Sequence, residues 1–164
     1  AFDRATKQSG FWRDRLDATA PPERLVMADA RFGTPIRARD AELWAVTRST
    51  YAEFPDVHVG ERLDALTRVT DANPQQRDVQ WGSVELVSWR SADGVPLQGQ
   101  LFKPEGFDPA KRYPMVVYFY ERLSDDLHAY RPPSGRNVVN PTVYASNGYV
   151  VFFPDIAYTT GTPG

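Results

Sequence analysis

Lys111-Arg-Tyr-Pro-Met-Val-Val-Tyr-Phe-Tyr120 and Gly148-Tyr-Val-Val-Phe-Phe-Pro-Asp155 decide the fold between them. Each holds a short, nearly unbroken apolar run: Met115 to Tyr120, and Tyr149 to Phe153. Runs of this length fit strands buried on both faces, which is how a parallel α/β sheet reads. Only one short helix signal lies between them. A parallel sheet needs helices on both faces, and these residues supply too few. The sequence therefore predicts the opening of an α/β domain whose remainder lies outside this chain.

The segment before the first run has its own signature. Val84-Glu-Leu-Val-Ser-Trp89 alternates with period two, Ser91-Ala-Asp-Gly94 offers a tight Asp-Gly turn, and Pro96-Leu-Gln-Gly-Gln-Leu-Phe102 returns. That pattern predicts a β-hairpin pairing 84–90 with 96–102. Between the two apolar runs, Glu121 to Val139 reads as a long polar loop. Asn140-Pro141 then predicts a helix start, with Asn at the cap and Pro in the first helical position. Asn147-Gly148 is a fitting stop for a helix of about two turns. No Gly-x-Gly-x-x-Gly follows either buried strand, which argues against nucleotide binding.

Toward the N-terminus the texture changes. Leu25-Val-Met-Ala28, Leu43-Trp-Ala-Val-Thr47, Val57-His-Val59 and Leu66-Thr-Arg-Val-Thr70 are strand candidates, separated by turn residues at Pro21-Pro22, Gly33-Thr-Pro35, Pro55-Asp56 and Asn73-Pro74. Short strands at this spacing suggest a sandwich, a barrel or a propeller blade; a small β-meander is the simpler alternative. Asp71 to Asp78 is polar and aperiodic and reads as a linker, placing a boundary between residues 1–78 and 79–164.

Composition narrows the function. The 164 residues carry 19 basic and 21 acidic side chains, a net charge of -2, so nothing steers the chain toward nucleic acid or an anionic membrane. There is no cysteine, which excludes disulfides, thiolate catalysis and cysteine-ligated zinc here. No run approaches the ~20 apolar residues of a membrane span. No cofactor motif or metal-ligand spacing is present. The start, Ala-Phe-Asp-Arg-Ala-Thr-Lys, lacks both Met and an apolar signal core, which points to a processed or excised beginning.

Several stretches together carry a resemblance: Trp81 to Trp89, Ser91 to Gly94, Gly99-Gln-Leu-Phe-Lys-Pro-Glu-Gly-Phe-Asp-Pro109, Lys111 to Glu121, and Ser146 to Ile156. They resemble the prolyl oligopeptidase family of serine peptidases, at the junction where its β-propeller hands over to its α/β-hydrolase domain. The resemblance covers residues from about 40 onward and is strongest from 71. It implies all-β propeller-blade strands over 1–78 and the N-terminal portion of an α/β-hydrolase over 79–164, an incomplete fold in this chain. It implies a parent that hydrolyses peptide bonds through a Ser-His-Asp triad, with the nucleophile on a Gly-x-Ser-x-Gly elbow. No such elbow is present: Ser83 sits in Trp-Gly-Ser-Val-Glu and Ser134 in Pro-Pro-Ser-Gly-Arg. Nucleophile, acid and base are expected beyond this chain, which alone is predicted inactive. Implied partners are a peptide substrate and the remainder of the same protein packed on the exposed sheet. A periplasmic or secreted setting is favoured on this resemblance alone. A related esterase or acylaminoacyl hydrolase is the enzymatic alternative, and a non-catalytic propeller–hydrolase scaffold the other.

Of the candidate chemical residues, Tyr120 stands first. In the family, a Tyr at the end of this strand donates its hydroxyl to the developing oxyanion; the competing reading is a tyrosine packed at a strand end. Glu121-Arg122 and Asp125-Asp126 either line a cleft or cap a helix start. His128 invites a general-base reading but has no serine elbow beside it. His58, between Val57 and Val59, reads as a solvent-facing strand residue. Asp155 ends the second run, where ligands approach α/β sheets, and a structural bond to the turn Ala157 to Gly164 is the expected role.

Overall fold

A computed structural model of the chain describes residues 1–17, 19–135, 138–158 and 161. Eleven strands among these form three sheets. The chain divides into two compact units, one of residues 1–74 with 128–130, the other of 75–127 with 131–164. Among the described residues, no helix is long and apolar enough to cross a membrane.

The first unit is all β, the arrangement of a partial propeller-like fragment. Strands β1 (Ser9–Arg13) and β2 (Glu23–Ala28) form an antiparallel pair with a bulge at Phe11/Trp12. The second sheet is built around β5 (Trp44–Ser49), flanked on one side by β6 (Asp56–Gly60) and then β7 (Thr67–Arg68). On the other side, β3 (Arg31–Phe32) and β4 (Ile36–Arg37) both pair with β5. They amount to one interrupted strand, broken at Gly33-Thr-Pro35, where Pro35 has no N–H to give the ladder. The result is an antiparallel meander. Asp56, 3% exposed, fastens one edge of it, accepting from the Thr70 hydroxyl at 2.6 Å and the Ala72 N–H at 2.9 Å and pairing with Arg68 at 2.6 Å. Burial alone would raise its carboxyl; these partners outweigh it and hold the group below the usual range.

Several elements of this unit differ from the pattern reading. Strands β1, β3 and β4 have no counterpart in it, and β7 covers only Thr67–Arg68 of the expected 66–70. The expected linker holds a short 3₁₀ turn, Pro74–Asp78. His58 corrects its sequence reading: its ring is half-buried, with Nδ1 3.1 Å from the Asp56 carbonyl.

The second unit holds a four-stranded sheet in the order β10-β11-β9-β8. Strands β8 (Ser83–Arg90) and β9 (Pro96–Lys103) are an antiparallel hairpin, β10 (Met115–Val117) follows, and β11 (Val150–Pro154) inserts between β10 and β9. It lies parallel to β10 and antiparallel to β9. The hairpin turns through Ser91–Gly94, with the Gly94 N–H donating to the Ser91 carbonyl at 2.9 Å. Gly94 sits at φ +78°, a conformation a side chain resists. The strand expected over 115–120 stops at Val117, although the Tyr118 N–H still donates to the Phe152 carbonyl at 3.0 Å. Continued register would bring Pro154 into the ladder, and proline cannot donate.

Helix α1 (Pro141–Ser146) begins as its sequence dictates, the Asn140 side chain accepting from the Val143 N–H at 3.1 Å with Pro141 next in line. It packs on β9 and β11, burying Pro141, Thr142 and Ala145. On the covered face Gln100, Phe102, Val151 and Phe153 are all at most 2% exposed. The rings of Phe102 and Phe153 meet at 5.2 Å, and Tyr118 joins Phe153 at 5.3 Å. A single short helix is expected to leave this strand bare. That expectation is corrected for Val150, Val151 and Phe153, which the chain buries with its own residues. The missing cover comes from the loop after β10, whose Leu127 is buried and whose Arg131 lies 5.8 Å over the Phe153 ring. On the other face Met115 and Val117 stay more than half exposed, and Phe119 beyond the strand likewise.

Gly99 is a point of close approach in this sheet. Phe152 reaches over it to meet Trp89 edge-on at 5.5 Å. A Cβ at Gly99 would lie 2.9 Å from the Phe152 ring and 2.8 Å from the Phe153 carbonyl oxygen. Gly99→Ala is expected to lower stability by about 1–3 kcal/mol, read as a shift in the urea midpoint. Gly135→Ala, where a Cβ meets nothing within 4 Å, should stay within about 0.5 kcal/mol. Equal stability of the two variants would contradict the packing described.

Candidate functional site

The carboxyl end of β10 and β11 is where the sequence-predicted residues converge. Parallel strands release their chain ends on the same side, so the loops after them meet. Tyr120 lies three residues past β10 with its side chain open, 62% exposed. Glu121 follows at φ +50°, a left-handed conformation uncommon for a residue with a side chain. The backbone thus turns sharply at the residue after Tyr120.

Bonds from neighbouring strands hold that turn. The Ile156 N–H donates to the Glu121 carbonyl at 2.9 Å. The Gln100 side-chain amide, fully buried on β9, donates to the Leu123 carbonyl, while its Oε1 finds no partner among the described residues. Asp155, 8% exposed, accepts twice from Ser124: from the backbone N–H at 2.8 Å and the hydroxyl at 2.5 Å. Ser124 itself is fully buried. Asp155 holds the opposite loop through its carboxylate, a structural role; the expected bond to the turn Ala157 to Gly164 falls mostly on residues outside the described ones. The sequence holds no signal for this pairing, because the two residues are 31 apart and neither has a distinctive neighbour.

The remaining candidates separate. Glu121 accepts from the Tyr158 hydroxyl at 3.3 Å, and its negative charge pushes the Tyr158 phenol up. Asp125 and Asp126 are exposed in the short 3₁₀ turn Ser124–Asp126, with Arg131 3.7 Å from Asp126. Among the described residues, no three His, Cys, Asp or Glu side chains gather as a metal site would require. Ser83 opens β8 on the surface. His128 belongs to the first unit, its Nε2 3.7 Å from an Asp29 oxygen. Burial lowers its imidazole pKa, with Asp29 opposing in part.

Among solved structures, the chain is similar to the AtxE2 isopeptidase, with a TM-score of 0.65 and 18% identity over 91% of this chain and 22% of that one. It is also similar to dipeptidyl peptidase 4 of Porphyromonas gingivalis, at 0.55 and 20% identity over 85% and 20%. The acylaminoacyl peptidase of Pyrococcus horikoshii matches at 0.57 and 12% identity over 84% and 21%. No protein-family model matches the chain. At these identities the likeness is one of fold. The chain spans about a fifth of the length of these structures.

The lowered pKa of His128 has a measurable consequence. The fold favours the neutral ring, so the unfolded chain binds a proton first as pH falls. Its contribution is complete above the ordinary value of 6.5 and is lost as pH falls below it toward the lower folded value. The urea midpoint should therefore drop between about pH 7 and pH 5, and His128→Gln should flatten that slope. An unchanged slope in the variant would remove His128 as its source.

Proposed function

We propose that this chain is a segment of a prolyl-oligopeptidase-family serine peptidase, residues 1–78 ending a β-propeller and 79–164 opening the α/β-hydrolase domain. The observation that carries the reading is the sheet order β8-β9-β11-β10, an antiparallel hairpin leading into parallel strands, with an exposed tyrosine where the first parallel strand releases the chain. Fold likeness to an isopeptidase, a dipeptidyl peptidase and an acylaminoacyl peptidase supports it.

In this reading the parent cleaves peptide bonds, and the serine, histidine and aspartate of the triad lie outside the chain. The serine attacks the scissile carbonyl, the histidine takes its proton, and negative charge builds on the carbonyl oxygen. Tyr120 donates its hydroxyl to that oxygen. A phenol stays neutral near pH 7, so it meets the charge as a dipole already in place rather than as a competing ion. A peptide substrate accords with a related structure, a variant of the AtxE2 isopeptidase with Astexin3-dC4 bound. The rest of the protein would cover Met115, Val117 and Phe119, each such side chain worth ~1.5–3 kcal/mol when fully buried.

Two measurements test this. A fluorophosphonate probe should label one serine of the longer protein and none in these 164 residues; labelling of a serine here would sink the reading. Tyr120→Phe in the longer protein should lower kcat by about 10²–10³-fold, or ~2.7–4 kcal/mol, with KM little changed. Hydrolysis of p-nitrophenyl acetate but of no peptide would favour an esterase. No labelling at all would favour a scaffold.

A further inference from the structure

We propose that Asp155 is a positioning residue that acts through Ser124 to keep Tyr120 aimed at the oxyanion; this rests on the reading of Tyr120 given above. Between Tyr120 and Ser124 the chain is held at Glu121 by the Ile156 N–H, at Leu123 by Gln100, and at Ser124 by Asp155. Every holder stands on β9 or directly after β11. The Asp155 contact differs from the other two because it grips both the backbone and the side chain of one residue. Two acceptor oxygens meeting two donors on a single residue fix its orientation as well as its place.

The carboxylate is an unfavourable way to make this joint. A buried anion loses its hydration, and no Lys or Arg pairs with Asp155 among the described residues. A neutral side chain would suffice merely to close the loop. What the anion adds is stiffness at the base of a turn that carries an uncommon backbone conformation at Glu121. Both oxygens are occupied by Ser124, and Ser124 is wholly buried. Neither residue is placed to touch substrate, so their influence must pass through the loop. A hydroxyl displaced by about 1 Å from a developing charge loses up to about 100-fold in rate.

The test uses the longer protein, with kcat and KM for p-nitrophenyl acetate and the rate of fluorophosphonate labelling as readouts. Asp155→Ala should lower kcat and the labelling rate about 10-fold or more, KM staying level. Asp155→Asn, which can accept from the N–H while donating to the hydroxyl but carries no charge, should recover only part of the loss. In the Tyr120→Phe background, Asp155→Ala should cost no more than about twofold further, since coupled groups are not additive. Full kcat in a folded Asp155→Ala protein, or losses that multiply in the double variant, would overturn the proposal. If near-UV circular dichroism shows Asp155→Ala unfolded, Ser124→Ala takes its place. It keeps the backbone bond and should lose about threefold in kcat, an effect absent in the Tyr120→Phe background; an unchanged kcat for Ser124→Ala alone overturns the proposal equally. If Tyr120→Phe alone leaves kcat intact, the oxyanion reading fails first, and that result is distinct from the others.

Discussion

Everything in the second unit depends on β11 being wedged between an antiparallel neighbour and a parallel one. Val151 and Phe102 lie opposite each other at that seam, both wholly buried. Because β10 and β11 run the same way, the chain between them has to travel back along the sheet. It does so as a loop and α1, and this return path supplies the cover that seals Phe153. The same parallel pairing delivers Tyr120 and Asp155 to one edge. Site and core thus come from one topological decision.

The polar bonds then refine what the apolar seam places. Gln100 lies beneath the loop with one amide end used and the other without a partner among the described residues. That is a penalty of order 1–3 kcal/mol that an aliphatic side chain would avoid. Asp155 adds a buried charge.

Where the sequence is legible, the responsible signals are local. The period-two run ending at Trp89, the Asn140-Pro141 start and the Asn147-Gly148 stop each act within a few residues, so they can be read without knowing the fold. The ending of β10 at Val117 depends on Pro154 on the partner strand, and the burial of Phe153 depends on a polar-looking loop. Neither is visible in a window. Strands β3 and β4 are two residues each and exist because β5 offers them an edge; no propensity of Arg31-Phe32 or Ile36-Arg37 announces them. At the site, Tyr120 is conspicuous because it ends an apolar run. Ser124 is inconspicuous because its importance comes entirely from a partner far along the chain.

The insertion of β11 also sets a temporal order. In space it lies between β9 and β10, yet it is made after both. Until Val150 to Pro154 emerge from the ribosome, β9 presents an open edge and β10 has no partner to pair with. Met115-Val-Val117 carries no charge or proline to discourage a wrong neighbour. The nascent chain therefore passes through a stage in which two complementary edges wait for a strand not yet synthesised.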